Sequence, residues 1–519
     1  MLITVMAFGA GGQQGGTTSG GTSFPTGRVS YPIQTDVTLT YWASMSPNLG
    51  PNFSNYGDVP FYQGWSERTG VKVTHLHPPQ GTENEQFNLL ISSGDLPDIF
   101  NRNIVDYPGG PEKAILDGTV LRLNDVIDKY APNLKELLAS RPDWDRMVKS
   151  DTGNYYTFPN IRSDPWLCIW QGLQIRKDWL DELGLQLPET YDDWHTVLTA
   201  FKTRKNVIAP VSVTYNSSSF MYGYGFDRDF YIGNDGRVTW GRIQPAFREY
   251  LAMMSQWYRE GLLDPDTVAL TSQVIAAKIT SGGTGAVHGS LMGNMGAWIP
   301  SGRQSNPAFS LVGTIYPVQR RGGKSAIIAI DLPFSGANGS VSVAGNTKHP
   351  EITARFLDWA YGQEGYMYHN FGTPGVSYNV INGYPTYTDL VLRNPRGWPI
   401  GQALASVAMA GYGGPHIQSR EYFEQITAFP EQTISLENWT IPEPFRHRLP
   451  PVTPTPDESQ ELARIMQEIN TYANEMLARF ILGTEPLSSF DNYLATVRRM
   501  GIDRAIEIQN AALARYNAR

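Results

Sequence analysis

Seven tryptophans, Trp42, Trp166, Trp170, Trp240, Trp298, Trp398 and Trp439, stand beside Gly, Pro or polar neighbours rather than inside apolar helical stripes. Four others, Trp179, Trp194, Trp257 and Trp359, recur at helical spacing with Leu and Ala and read as core. A ring outside a stripe can lie flat on a pyranose, whose C–H face is apolar and whose hydroxyl rim needs Asp, Asn, Arg or Gln. Sealing a lobe is the competing role for each ring. Trp298 is favoured for stacking because GSLMGNMGAW, with its small residues, lets a backbone approach a ligand closely. The candidate binding set is Trp42, Asn101, Arg102, Trp166, Trp170, Tyr224, Asp227, Trp298, Tyr378, Trp398 and Trp439.

Other constellations are weaker. His75 and His77 share a strand face; half of a metal site is one reading, with no third ligand suggested, and a solvated surface pair is the favoured one. Gly283, Gly285 and Gly289 lack the spacing and the lysine of a phosphate loop, and there is no G-x-S-x-G elbow. Cys168 is the one cysteine, which excludes an internal disulfide and a multi-thiolate zinc site. No cofactor and no metal are expected. One rival is a secreted carbohydrate-active enzyme, which needs two carboxylates roughly 5–9 Å apart. Another is a receptor of the same architecture for a peptide or other polar solute, which needs fixed counter-charges.

The elements that must position these residues follow from periodicity. TLTYWAS and VKVTHLH alternate as strands, FYQGWSERTG and ENEQFNLLISSG read as helices, and DIFN is a short third strand. This β-α-β-α-β rhythm predicts a mostly parallel sheet covered by helices, with ligand at the carboxyl ends of the strands, where Trp42, Asn101 and Arg102 fall. TFPNIRSDPWLC is extended, proline-marked chain and the expected first crossing between lobes. A second α/β block runs to about Trp298, with Asn234-Asp235-Gly236 as a hairpin turn. PEITARFLDWAYGQEG predicts a helix with Gly362 near its end. A Pro-rich linker then leads to a helix capped by Asp457 or Ser459 and ending at Gly483.

At 519 residues the chain exceeds one hydrophobic core, so at least two lobes are expected. Charged residues are scarce at 17% and aromatics abundant at 12%, and the net charge of −8 without basic runs excludes a nucleic-acid partner. MLITVMAFGA followed by GGQQGGTTSGGTS reads as the remnant of a signal peptide and a flexible tether.

Five strings together resemble the family 1 extracellular solute-binding proteins of bacterial ABC sugar importers, in particular the alginate-binding and lipoprotein-type oligosaccharide receptors. They are ISSGDLPDIF, ILDGTVLRLNDVIDKYAPNLKELL, IRKDWLDELGLQLPETYDDW, LDWAYGQEGYMYHNFGTPGVSYN and FILGTEPLSSFDNYLATVRRMGIDRAIEIQNAALARY. The resemblance implies an α/β periplasmic-binding-protein-like fold, two lobes joined by hinge strands, with a helical C-terminal region. Residues 1–35 would be the signal remnant and tether, 36–160 with about 330–375 the first lobe, and 161–329 with about 376–519 the second. It also implies an oligosaccharide ligand, membrane permease subunits as partners, a monomeric extracytoplasmic receptor and no catalysis. Three positions depart from the family. Ala10 stands where a lipid-anchored cysteine is expected, RKNVIAPVSV lacks the Asp and Asn pattern of a calcium loop, and Thr373-Pro374 replaces an acidic residue.

Overall fold

The computed structural model describes residues 26–102, 104–334, 340–409 and 413–519. The signal remnant and most of the expected tether, residues 1–25, lie outside the described residues. Residues 26–35 do not continue a tether. Ile33 is buried and donates its N–H to the Thr69 carbonyl, and the Tyr31 hydroxyl donates to the Arg355 carbonyl at 2.8 Å.

Two four-stranded sheets organise the chain. In the first, Thr38–Trp42 lies between Lys72–Leu76 and Ile99–Asn101, all parallel, and Val341–Val343 pairs antiparallel outside Ile99–Asn101. The expected helices are Pro60–Thr69 and Glu83–Ser93, the latter stopped by Gly94 in the left-handed region. The SGDLPD string has a mechanical role here. Asp98 Oδ2 accepts from the Thr40 N–H and hydroxyl, both at 2.9 Å, and Oδ1 accepts from the Thr347 hydroxyl, which ties the third strand's entry to its neighbour and to the returning chain.

In the second sheet Thr284–Ser290 runs parallel to Ala209–Ser212 and antiparallel to Gln171–Arg176, which pairs in turn with Leu311–Gly313. The hairpin turn is formed as expected between Phe230–Ile232 and Val238–Trp240. Each sheet has its own core. One collects residues from Ile33 to Ile161 and Phe334 to Tyr368, with Ala405 and Met409, and the other collects Leu167 to Ile330 and Phe371 to Ala505. The two pieces of the first core are pinned by Asp358, whose carboxylate accepts the Leu134 and Asn133 N–H groups and so caps helix Pro132–Ser140.

Three extended segments cross between the cores side by side. Ile161–Arg162 pairs parallel with Ile417–Gln418 on one flank, and the Arg162 N–H donates to the Pro333 carbonyl at 2.9 Å on the other. Away from these crossings a buried ion cluster also joins the lobes. Asp151, whose neighbours Val148 and Tyr156 belong to the first core, binds Arg515 Nε at 2.6 Å, Arg519, and the Thr453 hydroxyl at 2.9 Å.

Several local expectations are corrected. The helix predicted over PEITARFLDWAYGQEG is two, Pro350–Asp358 and Gln363–Phe371, because Gly362 is extended and opens the second. Helix Pro456–Leu482 is capped by Thr455 in a reciprocal box with Glu458, not by Asp457 or Ser459, because proline at the first helical position places the cap one residue earlier. Gly483 ends it as predicted. His75 is buried among Tyr41, Tyr56 and Tyr62, and His77 spends Nδ1 on the Ala43 carbonyl.

Removing one side of a buried charge pair strands the other, which costs about 3–5 kcal/mol. Asp151→Ala leaves the buried Arg519 without a carboxylate, while Arg515 keeps Glu458, so the denaturant midpoint should drop by a corresponding amount. A change under about 1 kcal/mol would place the cluster with ordinary surface pairs.

Candidate functional site

The carboxyl ends of the parallel strands in the two sheets, together with the three crossing segments, define the faces and floor between the lobes. On the second lobe this edge carries Trp170, immediately before strand Gln171–Arg176. The residue is 38% exposed, and its Nε1 donates to Asp331 Oδ2 at 3.1 Å. The same oxygen accepts from Arg162 Nη1 at 2.6 Å. Both partners come from crossing segments, so the indole is oriented by the hinge itself.

Beside Trp170 a polar row follows the sheet register. Gln171 Oε1 lies 3.2 Å from His288 Nε2, and His288 Nδ1 lies 2.5 Å from the Ser219 hydroxyl. Burial lowers His288 to about 4, so the imidazole is neutral near pH 7. A neutral ring donating from Nε2 to the glutamine oxygen accepts from Ser219 at Nδ1. Tyr316 completes the row by donating to the Gln171 carbonyl at 3.0 Å. Trp166, half-buried on the short helix Pro165–Cys168, has the Arg420 guanidinium 3.9 Å over its ring. An exposed ring ringed by fixed donors and acceptors can hold a polyol by stacking and hydrogen bonding.

The first lobe presents a second group. Asn101 ends its strand, while Arg102 sits 5.4 Å over Phe87 and donates to Asn84. Trp42 is at the strand end but only 5% exposed, tilted against Phe87. Trp398 is half-buried, edge-on to Phe53 of the segment that follows Trp42, with Arg396 5.1 Å over its ring.

The remaining candidates are placed elsewhere. Trp298, expected to stack on ligand, is 6% exposed, with its ring against Gly289, where a Cβ would fall 2.8 Å from it. Trp439 is fully buried beneath Gly172 and Gly313, where a Cβ would fall 2.4 and 2.7 Å from the indole. The glycines clear space for indoles of the same chain rather than for a ligand. Tyr224 packs 4.7 Å from Tyr191 inside the second lobe, where burial raises its hydroxyl to about 12. Asp227 is buried, which raises its carboxyl, against the lowering effect of Arg448 at 3.5 Å. Tyr378 lines a separate cavity of about 390 Å³ with Arg68, Tyr368 and Pro374.

Arg162, Gln171, Ser219, His288, Tyr316 and Asp331 were not singled out from sequence. Arg162 and Asp331 lie on the two proline-marked stretches NIRSDP and IDLPF, which was the available signal, but 169 positions separate them. Among the described residues no group of three His, Cys, Asp or Glu is placed to hold a metal ion, and no helix is long and apolar enough to cross a membrane.

Known proteins agree with this architecture. The profile of the bacterial extracellular solute-binding proteins matches residues 50–367, and the chain belongs to that family. It is 24% identical over 522 residues to the fructooligosaccharide ABC transporter substrate-binding protein FusA of Streptococcus pneumoniae serotype 4, covering 94% of this chain and 92% of FusA. It is 24% identical to lipoprotein LipO of Bacillus subtilis strain 168 over 67% of this chain and 69% of LipO. The crystal structure of alginate-binding protein AlgQ2 without calcium ion matches with a TM-score of 0.74 at 25% identity, covering 94% of this chain and 100% of that one. Its neighbours of known structure are two-lobed, as this chain is.

Two measurements check the placements. Trp298→Ala should destabilise the fold by about 3–5 kcal/mol, as for a large buried aromatic; a loss under about 1 kcal/mol would mean that its ring is not packed against the sheet. For His288, the unfolded chain binds a proton below the ordinary value of 6.5 and the folded chain only below about 4. Its contribution to stability is therefore complete above pH 6.5 and drains as the pH falls toward 4. His288→Gln should flatten that part of a melting-temperature profile, and an unchanged slope would contradict the assignment.

Proposed function

We propose that this chain is the extracytoplasmic substrate-binding component of an ABC importer that takes up an oligosaccharide. The observation that carries this is Trp170, an exposed ring fixed by Asp331 at the floor between two lobes and flanked by Gln171, Ser219 and His288. FusA is named for fructooligosaccharides and AlgQ2 for alginate, which supports the carbohydrate class.

In this account the lobes are the two cores described above, linked by the crossings near residues 161, 333 and 417; the stretch 371–409 precedes the last crossing and bridges them, with Tyr387 and Leu404 in the second core and Ala405, Met409 and the Trp398 ring on the first. Ligand stacks on Trp170 of the second lobe. The first lobe then adds contacts from Asn101, Arg102 and Trp398, and the closed population rises because only that state makes both sets. The receptor works as a monomer and hands its ligand to permease subunits in the membrane. It performs no reaction on the sugar. The carboxylate beside Trp170, Asp331, is held by Arg162 and the indole itself, which suits it to orient a ring rather than to protonate a glycosidic oxygen.

A thermal-shift screen against neutral and acidic oligosaccharides and against peptides tests the class, since a ligand of the native state raises the melting temperature. At least one oligosaccharide should do so, and stabilisation by peptides alone would overturn the proposal. Trp170→Ala should then weaken binding of that sugar by about tenfold or more, the scale of a lost stacking contact of ~1.5 kcal/mol, while leaving the melting temperature of the free protein within a few degrees. Unchanged affinity would remove Trp170 from the site.

A further inference from the structure

Among the described residues the floor beside Trp170 carries no spare positive charge. Arg162, from the first crossing, is neutralised by Asp331 at 2.6 Å, through the oxygen that also receives Trp170 Nε1. Arg420, over Trp166, reaches Glu424 at 2.8 Å and Asp164 at 3.4 Å. Farther into the second lobe Arg448 faces Asp227 at 3.5 Å. His288 is uncharged near neutrality and already engaged on both nitrogens.

A sugar ring stacked on Trp170 therefore has the Asp331 carboxylate, not a free guanidinium, at its edge. A uronate placed there would meet a like charge and would have to compete with Asp331 for Arg162. An uncharged ring meets only hydrogen-bonding groups: the Asp331 carboxylate oxygens and the Gln171 side-chain amide. On the facing side Arg102 and Arg396 keep their charges, since Asn84 and the Phe87 and Trp398 rings are neutral, and each is held at those partners rather than at the Trp170–Asp331 edge.

We propose that the site selects uncharged oligosaccharides and that Asp331 is the specificity-determining residue, excluding uronate sugars by cancelling the charge of Arg162. This rests on the carbohydrate reading above and narrows it. Asp331 also positions the Trp170 ring, but exclusion of anions is a separate property that an isosteric neutral side chain removes without removing the acceptor for Trp170 Nε1.

The test is calorimetric titration of the full chain with kestose, maltotriose and xylotriose as neutral probes and with trigalacturonate as the anionic one. At low salt the wild type should bind a neutral trisaccharide, and trigalacturonate at least about tenfold more weakly. Asp331→Asn keeps the side chain's shape and uncovers Arg162. It should raise the ratio of trigalacturonate affinity to neutral-trisaccharide affinity about tenfold, with that gain screened away at about 0.5 M NaCl. Trigalacturonate binding to the wild type as tightly as the neutral probes would overturn the proposal, and this comparison needs no variant. So would an Asp331→Asn protein of wild-type melting temperature with an unchanged preference. Failure of every sugar to bind or stabilise the wild type would instead sink the carbohydrate reading itself, and the selectivity with it.

Discussion

The pairing of three extended segments at the centre of the molecule sets what every other part can do. Ile161–Arg162 is held on one side by Ile417–Gln418 and on the other by Pro333, through backbone hydrogen bonds. Such a joint bends through a few residues while each sheet and its core remain rigid. The same segments supply Arg162 and Asp331, so the side chains that orient Trp170 belong to the hinge rather than to either lobe. Ligand recognition and lobe movement are coupled at that point. The Asp151 cluster with Arg515, Arg519 and Thr453 is the second physical link, and any change in lobe angle has to be accommodated there as well.

The second lobe shows how packing decides which aromatic rings remain free. Gly172 and Gly289 are register partners, and Gly313 lies on the strand beside Gly172; the absence of Cβ atoms lets Trp298 and Trp439 lie directly on the sheet. Those two indoles are consumed by the core, where a buried aromatic of this size is among the largest single contributions to stability. Trp170, one residue before the strand begins, escapes that packing and is fixed by a hydrogen bond instead. A ring held by one polar contact at the edge of a cleft has an open face, which is what a stacking platform requires.

Much of the architecture was legible in the sequence. Alternation in TLTYWAS and VKVTHLH, helical spacing in ENEQFNLLISSG and the left-handed glycine at position 483 report local backbone preferences, which the chain obeys. The site was less legible. Trp170, Trp166 and Trp398 could be picked out by their neighbours, but nothing local distinguishes them from Trp298 and Trp439. That difference depends on which glycines lie opposite them in the sheet. Arg162 and Asp331 were missed because their pairing is made across the hinge. The Thr455 cap was missed because the proline after it was read as linker rather than as the first helical residue. The tether was drawn too long because Ile33 and Tyr31 make their contacts with residues far along the chain.

The central claim is that an oligosaccharide is held between the lobes on Trp170 and left chemically intact. A crystal structure of the chain grown with a stabilising oligosaccharide tests it most directly. The account predicts a sugar ring stacked on the Trp170 indole, hydroxyls within hydrogen-bond distance of Asp331 and Gln171, and every glycosidic bond unbroken. Density for the sugar away from the interlobe floor, or for cleaved products within it, would contradict the account.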